Sequence, residues 1–143
     1  MKRVCDLLDE KGKHIWSLPP DATVYEAIEE MAKKGVGALL VMEGDRLVGI
    51  VSERDYARKV ILKGKISREI QVSEIMSQPV ICVPPESTLE QTMTVMSDHH
   101  VRHLPVMDED TVVGVISIGD VVRGIIEVKE FYIQQLTTYI ASS

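Results

Sequence analysis

The sequence predicts an α+β protein made of two copies of one βαββα unit with a helical extension at its C-terminus, and three observations carry that prediction. A shift of 65 positions lays Ile15–Ile61 on Val80–Ile126 without a gap, and 15 of the 47 aligned residues are identical. In each copy a Pro-Pro pair, Pro19-Pro20 or Pro84-Pro85, ends an apolar segment, and a threonine three residues on opens an amphipathic stretch. Each copy then closes on an apolar run with an internal glycine, a serine, and an aspartate three residues past the serine. Two copies are too few for a solenoid, and either alone is too small for a secure core. The expected arrangement is two units packed face to face about a pseudo-twofold axis, a single module over 1–143 with repeat one at about 4–64, repeat two at about 72–126 and the extension at about 127–141.

Taken in order, Val4 to Leu8 is a short apolar segment before the turn at Glu10-Lys11-Gly12-Lys13, and a similar piece returns at Val72 to Met76. Ile15 to Leu18 reads as a strand that the prolines stop, since proline has no ladder donor and pushes its predecessor into extended geometry. Thr23 with Glu26 has capping-box spacing. Val24, Ala27, Ile28, Met31 and Ala32 form one apolar helical stripe opposite Glu29, Glu30, Lys33 and Lys34. Gly35 ends that helix. Ala38 to Met42 and Leu47 to Ser52 are strands joined by a hairpin turn at Glu43-Gly44-Asp45. A further helix runs from near Glu53 to Lys63-Gly64. In the second copy the box is Thr88 with Gln91, and the stripe is Leu89, Met93 and Met96. From about Gly119 a single long helix is expected, with Val122, Ile126, Ile133, Leu136 and Ile140 at a/d-like spacing interrupted by Lys129. That stripe would fold back on the repeats or pack on another subunit.

Composition limits the functions available. The 143 residues are 45% apolar and 27% charged with a net charge of -6, ordinary for a folded domain and opposed to nonspecific attraction by nucleic acid or anionic membrane. Cys5 and Cys82 are too few and too far apart for a disulfide framework, which predicts a reducing compartment and buried thiols. No apolar run approaches bilayer length, and the N-terminus lacks a signal peptide's apolar core. A cytoplasmic location is the expectation. With no Ser/His/Asp order, P-loop or GxGxxG, the chain is read as not an enzyme.

The repeated motifs carry a resemblance. Gly49-Ile50-Val51-Ser52-Glu53-Arg54-Asp55, Leu104-Pro105-Val106 and Val113-Gly114-Val115-Ile116-Ser117-Ile118-Gly119-Asp120, twice in register with the Pro-Pro-x-x-Thr helix starts, resemble a tandem pair of cystathionine β-synthase (CBS) domains, the Bateman module, over Val4 to about Ile126. The resemblance implies a βαββα fold per repeat and clefts between the repeats that in many relatives bind adenine nucleotides such as AMP, ATP or NAD. It also implies that adenine sits against the first strand of a repeat and the start of the second. That carries over to Ser17, Leu18, Gly37 and Ala38 in one cleft, and to Cys82, Val83, Arg102 and His103 in the other. Leu40 stands where the second copy has Pro105, so the two sites are expected to be unequal.

Ser52-x-x-Asp55 and Ser117-x-x-Asp120 each close a strand and open a helix, so backbone donors, a hydroxyl and a carboxylate meet at one corner. An ionised aspartate accepts only, and two of its lone pairs can take the adjacent hydroxyls of a ribose. The alternative is a simple helix cap. The plain boxes use the longer Glu26 and Gln91 while both corners use Asp, which is read as setting the corners apart. Arg54, Arg58, Arg102, His103 and Arg123 gather as phosphate donors, with surface pairs at i, i+3 as the alternative for Arg58 and Arg123. His99, His100 and His103 invite a metal reading, but no carboxylate or cysteine stands at a recognised ligand spacing; helix-terminal polar residues or an anion contact are the simpler readings. The expected function is a stand-alone nucleotide sensor, forming a homodimer and acting on an unidentified protein; the alternative is a ligand-independent interaction scaffold with vestigial clefts.

Overall fold

In the computed structural model, which describes residues 1–142, the elements follow the repeat: α1 (Val4–Lys11), β1 (Ser17–Leu18), α2 (Val24–Lys34), β2 (Ala38–Glu43), β3 (Arg46–Ser52), α3 (Glu53–Tyr56), α4 (Leu89–His99), β4 (His103–Asp108), β5 (Thr111–Ser117) and α5 (Ile118–Ser142). A π-helical turn, Ala57–Ile61, continues α3, and short 3-10 turns lie at Ser67–Glu69 and Val72–Glu74. The chain falls into two compact units, one of Ile15–Ile81 with Asp110–Val112, the other of Met1–His14, Cys82–Glu109 and the chain from Val113 onward. Each unit therefore takes its core from one copy of the repeat and borrows the short apolar lead segment of the other.

In the first-copy unit, β1 pairs in parallel with β2, and β2 runs antiparallel to β3 with a bulge between Val41 and Met42. The Thr23 hydroxyl caps α2 by accepting from Glu26 N at 3.1 Å, and Gly35 closes the helix in the left-handed region at φ 65°, where a side chain would be strained. Val24, Ala27 and Met31 of α2 are buried with Leu39, Val41, Val51, Val60, Val72 and Ile75. The Val72–Glu74 turn is tied in by backbone bonds from Val72 N to Ala22 O, 2.8 Å, and from Ser73 N to Pro20 O, 3.1 Å. Met76 closes over Gly49, where a Cβ would collide with its sulfur.

The second-copy unit repeats this design with α1 in the place of that turn. Val4 N donates to Ser87 O and Cys5 N to Pro85 O. Leu8 lies against Gly114, where a Cβ would come within 2.6 Å of Leu8 Cδ2. Thr88 and Gln91 form the expected capping box on α4, whose buried residues are Leu89, Thr92 and Met96. Thr92 was not foreseen in the core; its hydroxyl is satisfied by Thr88 O at 2.8 Å. Residues 80–83 do not extend into a strand beside β4, leaving a parallel bridge at Val83 and Val106. Pro105 explains the difference. Leu40, its counterpart, donates to Trp16 O at 3.1 Å, a bond that proline cannot make. The two cysteines, expected to be buried, are half-buried.

Candidate functional site

The predicted residues of each cleft are gathered within one unit. In the first, Ser17 and Leu18 of β1 pair with Leu40 and Val41 of β2. Gly37, just before β2, accepts a 3.0 Å bond from Glu53 N, so the start of β2 is fastened to the corner that carries Ser52, Arg54 and Asp55. The second unit repeats the device: Arg102 O accepts from Ile118 N at 2.8 Å, and Val83 N donates to Pro105 O at 3.1 Å. Cys82 and Val83, Arg102 and His103, and Ser117 and Asp120 are thereby held on adjoining pieces of backbone. Arg102 is exposed, whereas Pro105 is buried. Burial raises the Cys82 thiol above its ordinary pKa, which keeps it protonated and weakly reactive at neutral pH.

At both corners the aspartate is a working helix cap, which corrects the reading that its short side chain sets it apart from a capping box. Asp55 Oδ2 accepts from Ser52 N at 2.9 Å and Ser52 Oγ at 3.0 Å, and Asp55 N donates to Ser52 Oγ at 3.2 Å. Asp120 Oδ2 accepts from Ser117 N at 2.8 Å while Asp120 N donates to Ser117 Oγ at 3.2 Å. The shorter carboxylate closes the same reciprocal pair of bonds that Gln91 closes at Thr88.

The corners differ in their cations. Asp55 pairs with Lys59 one turn on, at 3.1 Å, and the Lys59 ammonium also donates to Ile75 O at 2.8 Å. Arg58, whose alternative reading is a surface pair with Asp55, is exposed, and Lys59 takes that place. Asp120 pairs with Arg123 at 2.8 Å, as the i, i+3 reading expected, and with Lys11 of α1 at 2.7 Å. Lys11 also donates to Val115 O at 3.0 Å. Asp120 is only 9% exposed. Burial alone would raise its carboxyl, but the bond from Lys11 and then that from Ser117 N outweigh it and hold the carboxyl below its usual range.

Lys11 is the site residue that sequence reasoning missed. Its only trace is indirect: the residue aligned with Lys59 in the second copy is Gly124, so the local cation is absent there. Leu7, Glu10, Lys11, Asp120, Arg123, Gly124 and Glu127 line an open depression of about 140 Å³. That is below the roughly 300 Å³ at which sites for whole small molecules begin. Its two cations and three carboxylates do not make it an anion site. Among the described residues no group of three or more His, Cys, Asp or Glu is placed to hold a metal, and His100 instead caps α4 in the left-handed region at φ 54°. No helix among them is long and apolar enough to cross a membrane.

Comparison with known proteins agrees with this architecture. The family model of the CBS domain matches residues 7–62 and again 72–127. The mitochondrial CBS domain-containing protein CBSX3 of Arabidopsis thaliana is 37% identical over 96% of this chain and 71% of its own length. A solved CBS-domain structure from Burkholderia ambifaria is 44% identical, covers 88% of this chain and 95% of its own, and superposes with a TM-score of 0.86. The hexameric CBS-CP12 protein of bloom-forming cyanobacteria is more distant, 28% identical over 84% of this chain and 70% of its own, with a TM-score of 0.74.

Proposed function

Because the chain belongs to the CBS domain family and carries that domain twice, we propose that it is a regulatory module that senses an adenine nucleotide, AMP, ATP or NAD, and passes the ligand's presence to a partner protein. The observation that carries this reading is the corner built twice, where Ser and Asp at the end of a strand stand beside the backbone that opens the preceding strand. Adenine would lie along Ser17, Leu18, Gly37 and Ala38, or along Cys82, Val83, Arg102 and His103. The ribose hydroxyls would donate to Asp55 or Asp120. At Asp120 three donors, Ser117 N, Lys11 and Arg123, occupy a carboxylate with about four lone-pair sites. Arg123 is 68% exposed and can yield its place to a sugar hydroxyl. Phosphates would meet Arg54, or Arg102 and His103. Ligand bound more tightly in one conformation than another biases the module by that difference alone.

One observation favours a second reading, a ligand-independent scaffold: both aspartates are already engaged as caps and in ion pairs. Isothermal titration with AMP, ATP, NAD and S-adenosylmethionine, repeated on Asp120→Ala and Asp55→Ala, separates the two. The sensor reading expects heat from at least one purine nucleotide and its loss on one variant. Silence with all four ligands leaves the scaffold.

A further inference from the structure

The outer half of α5 carries large apolar side chains into solvent. Phe131, Tyr132, Ile133, Leu136, Tyr139 and Ile140 are between 57% and 71% exposed, and residues 131–142 include no charged side chain. Positions 122, 126, 129, 133, 136 and 140 are separated by alternating steps of four and three, the spacing that keeps one seam facing a partner helix. Val122 and Ile126, 38% and 48% exposed, continue that seam toward the start of the helix, while Val121 and Gly124 face the unit's own core.

We propose that this seam is closed by α5 of a second copy of the chain, lying antiparallel. The area suffices. At roughly 150–250 Å² for a whole aromatic side chain, Ile133, Leu136 and Ile140 on the seam and Tyr132 and Tyr139 flanking it, all more than half exposed, offer on the order of 500 Å², and Val122 and Ile126 bring the face toward the ~800 Å² each partner gives to a stable interface. Charge sets the direction. Lys129 interrupts the seam, and a parallel pair in register would stack two ammonium groups in one layer. An antiparallel pair centred near Phe131 sets each Lys129 across from Ile133 of the other copy, with its ammonium beside that copy's Glu130. A lone polar residue in a seam fixes register in this way. A lipid surface fits less well, because interfacial helices carry Lys and Arg on their polar face and here that face is Gln134, Gln135, Thr137 and Thr138. The inference does not depend on nucleotide binding.

Light scattering on the full chain at micromolar concentration tests it. Wild type gives a dimer, and Ile133→Asp/Leu136→Asp weakens dimerisation at least about 100-fold with its thermal unfolding above monomer stability preserved. The variant Lys129→Cys/Ile133→Cys forms an intermolecular disulfide on oxidation beyond any seen in wild type, and Lys129→Cys alone does not. A monomeric wild type, or a dimer untouched by the two aspartates, overturns the proposal. Cross-linking through Lys129→Cys alone overturns the antiparallel pairing, and a monomer that floats with phosphatidylcholine vesicles reassigns the face to lipid.

Discussion

Asp55 and Asp120 stand at equivalent places and make the same cap, yet one takes its lysine from the next turn of its own helix and the other from a helix 109 residues earlier. The cause is a single exchange. Where the first copy has Lys59 the second has Gly124, and the missing side chain makes room for α1: a Cβ at Gly124 would stand 2.7 Å from Leu89 Cδ1 and 3.0 Å from Leu7 Cδ2. Packing of Leu7 then delivers Lys11, one helical turn further on, to the carboxylate that lost its local partner. Two identical motifs are thus coupled to different parts of the chain. The first corner draws its cation from its own helix and ties it to Ile75 O beyond that helix, whereas the second draws its cation from α1 itself. Lys2 reinforces that docking through ion pairs of 2.9 Å to Glu10 and Glu127, which raise its own pKa.

The largest effect expected comes from erasing the exchange. Gly124→Lys forces a side chain into the contact with Leu7 and Leu89 and should cost about 2 kcal/mol or more, read as a lowered urea midpoint. Next is the comparison of Asp120→Ala with Asp55→Ala. Both lose a cap, about 1 kcal/mol, but removing Asp120 also abandons the more deeply buried network, so its loss should approach about 2 kcal/mol.

Acid titration separates the cations themselves. The Asp120 carboxyl is depressed, so the stability it contributes is present above the ordinary carboxyl value near ~3.9 and is lost as pH falls through its lower folded value. Lys11→Met removes the main lowering contact, and acid unfolding of that variant should begin at higher pH than in wild type. Lys59→Met should cost only the roughly 0.2–1 kcal/mol of a partly exposed pair. The smallest effect is a gain. His100 holds the left-handed conformation that Gly35 holds in the first copy, and His100→Gly should raise stability by up to about 1 kcal/mol, visible as a higher Tm.

Much of this was legible in the sequence because it is local. The caps at Thr23 and Thr88, the stop at Gly35, the hairpin at Gly44 and the start of α5 each follow from residues within one turn of the feature. The corners were found for the same reason, although the distinction drawn between Asp and a plain capping residue was mistaken, since the carboxylate reaches the same amide. What escaped depends on distant chain. That Lys11 meets Asp120 follows from where α1 docks, which no spacing encodes. The left-handed His100 is invisible because its aligned glycine is gone while the turn it served remains. The weak first strand of the second copy follows from Pro105, which has no amide to donate and which the sequence shows only as a difference from Leu40 in the first copy.

In the proposed sensor an aspartate at one of these corners holds the ribose diol of an adenine nucleotide. Calorimetric titration of wild-type protein with AMP and with its 2′,3′-dideoxy counterpart tests this without altering the protein. Loss of hydrogen bonds to a charged group should weaken the dideoxy ligand by roughly ten-fold or more. Equal binding of the two would contradict the ribose contact, as would failure of AMP, ATP and NAD alike to bind.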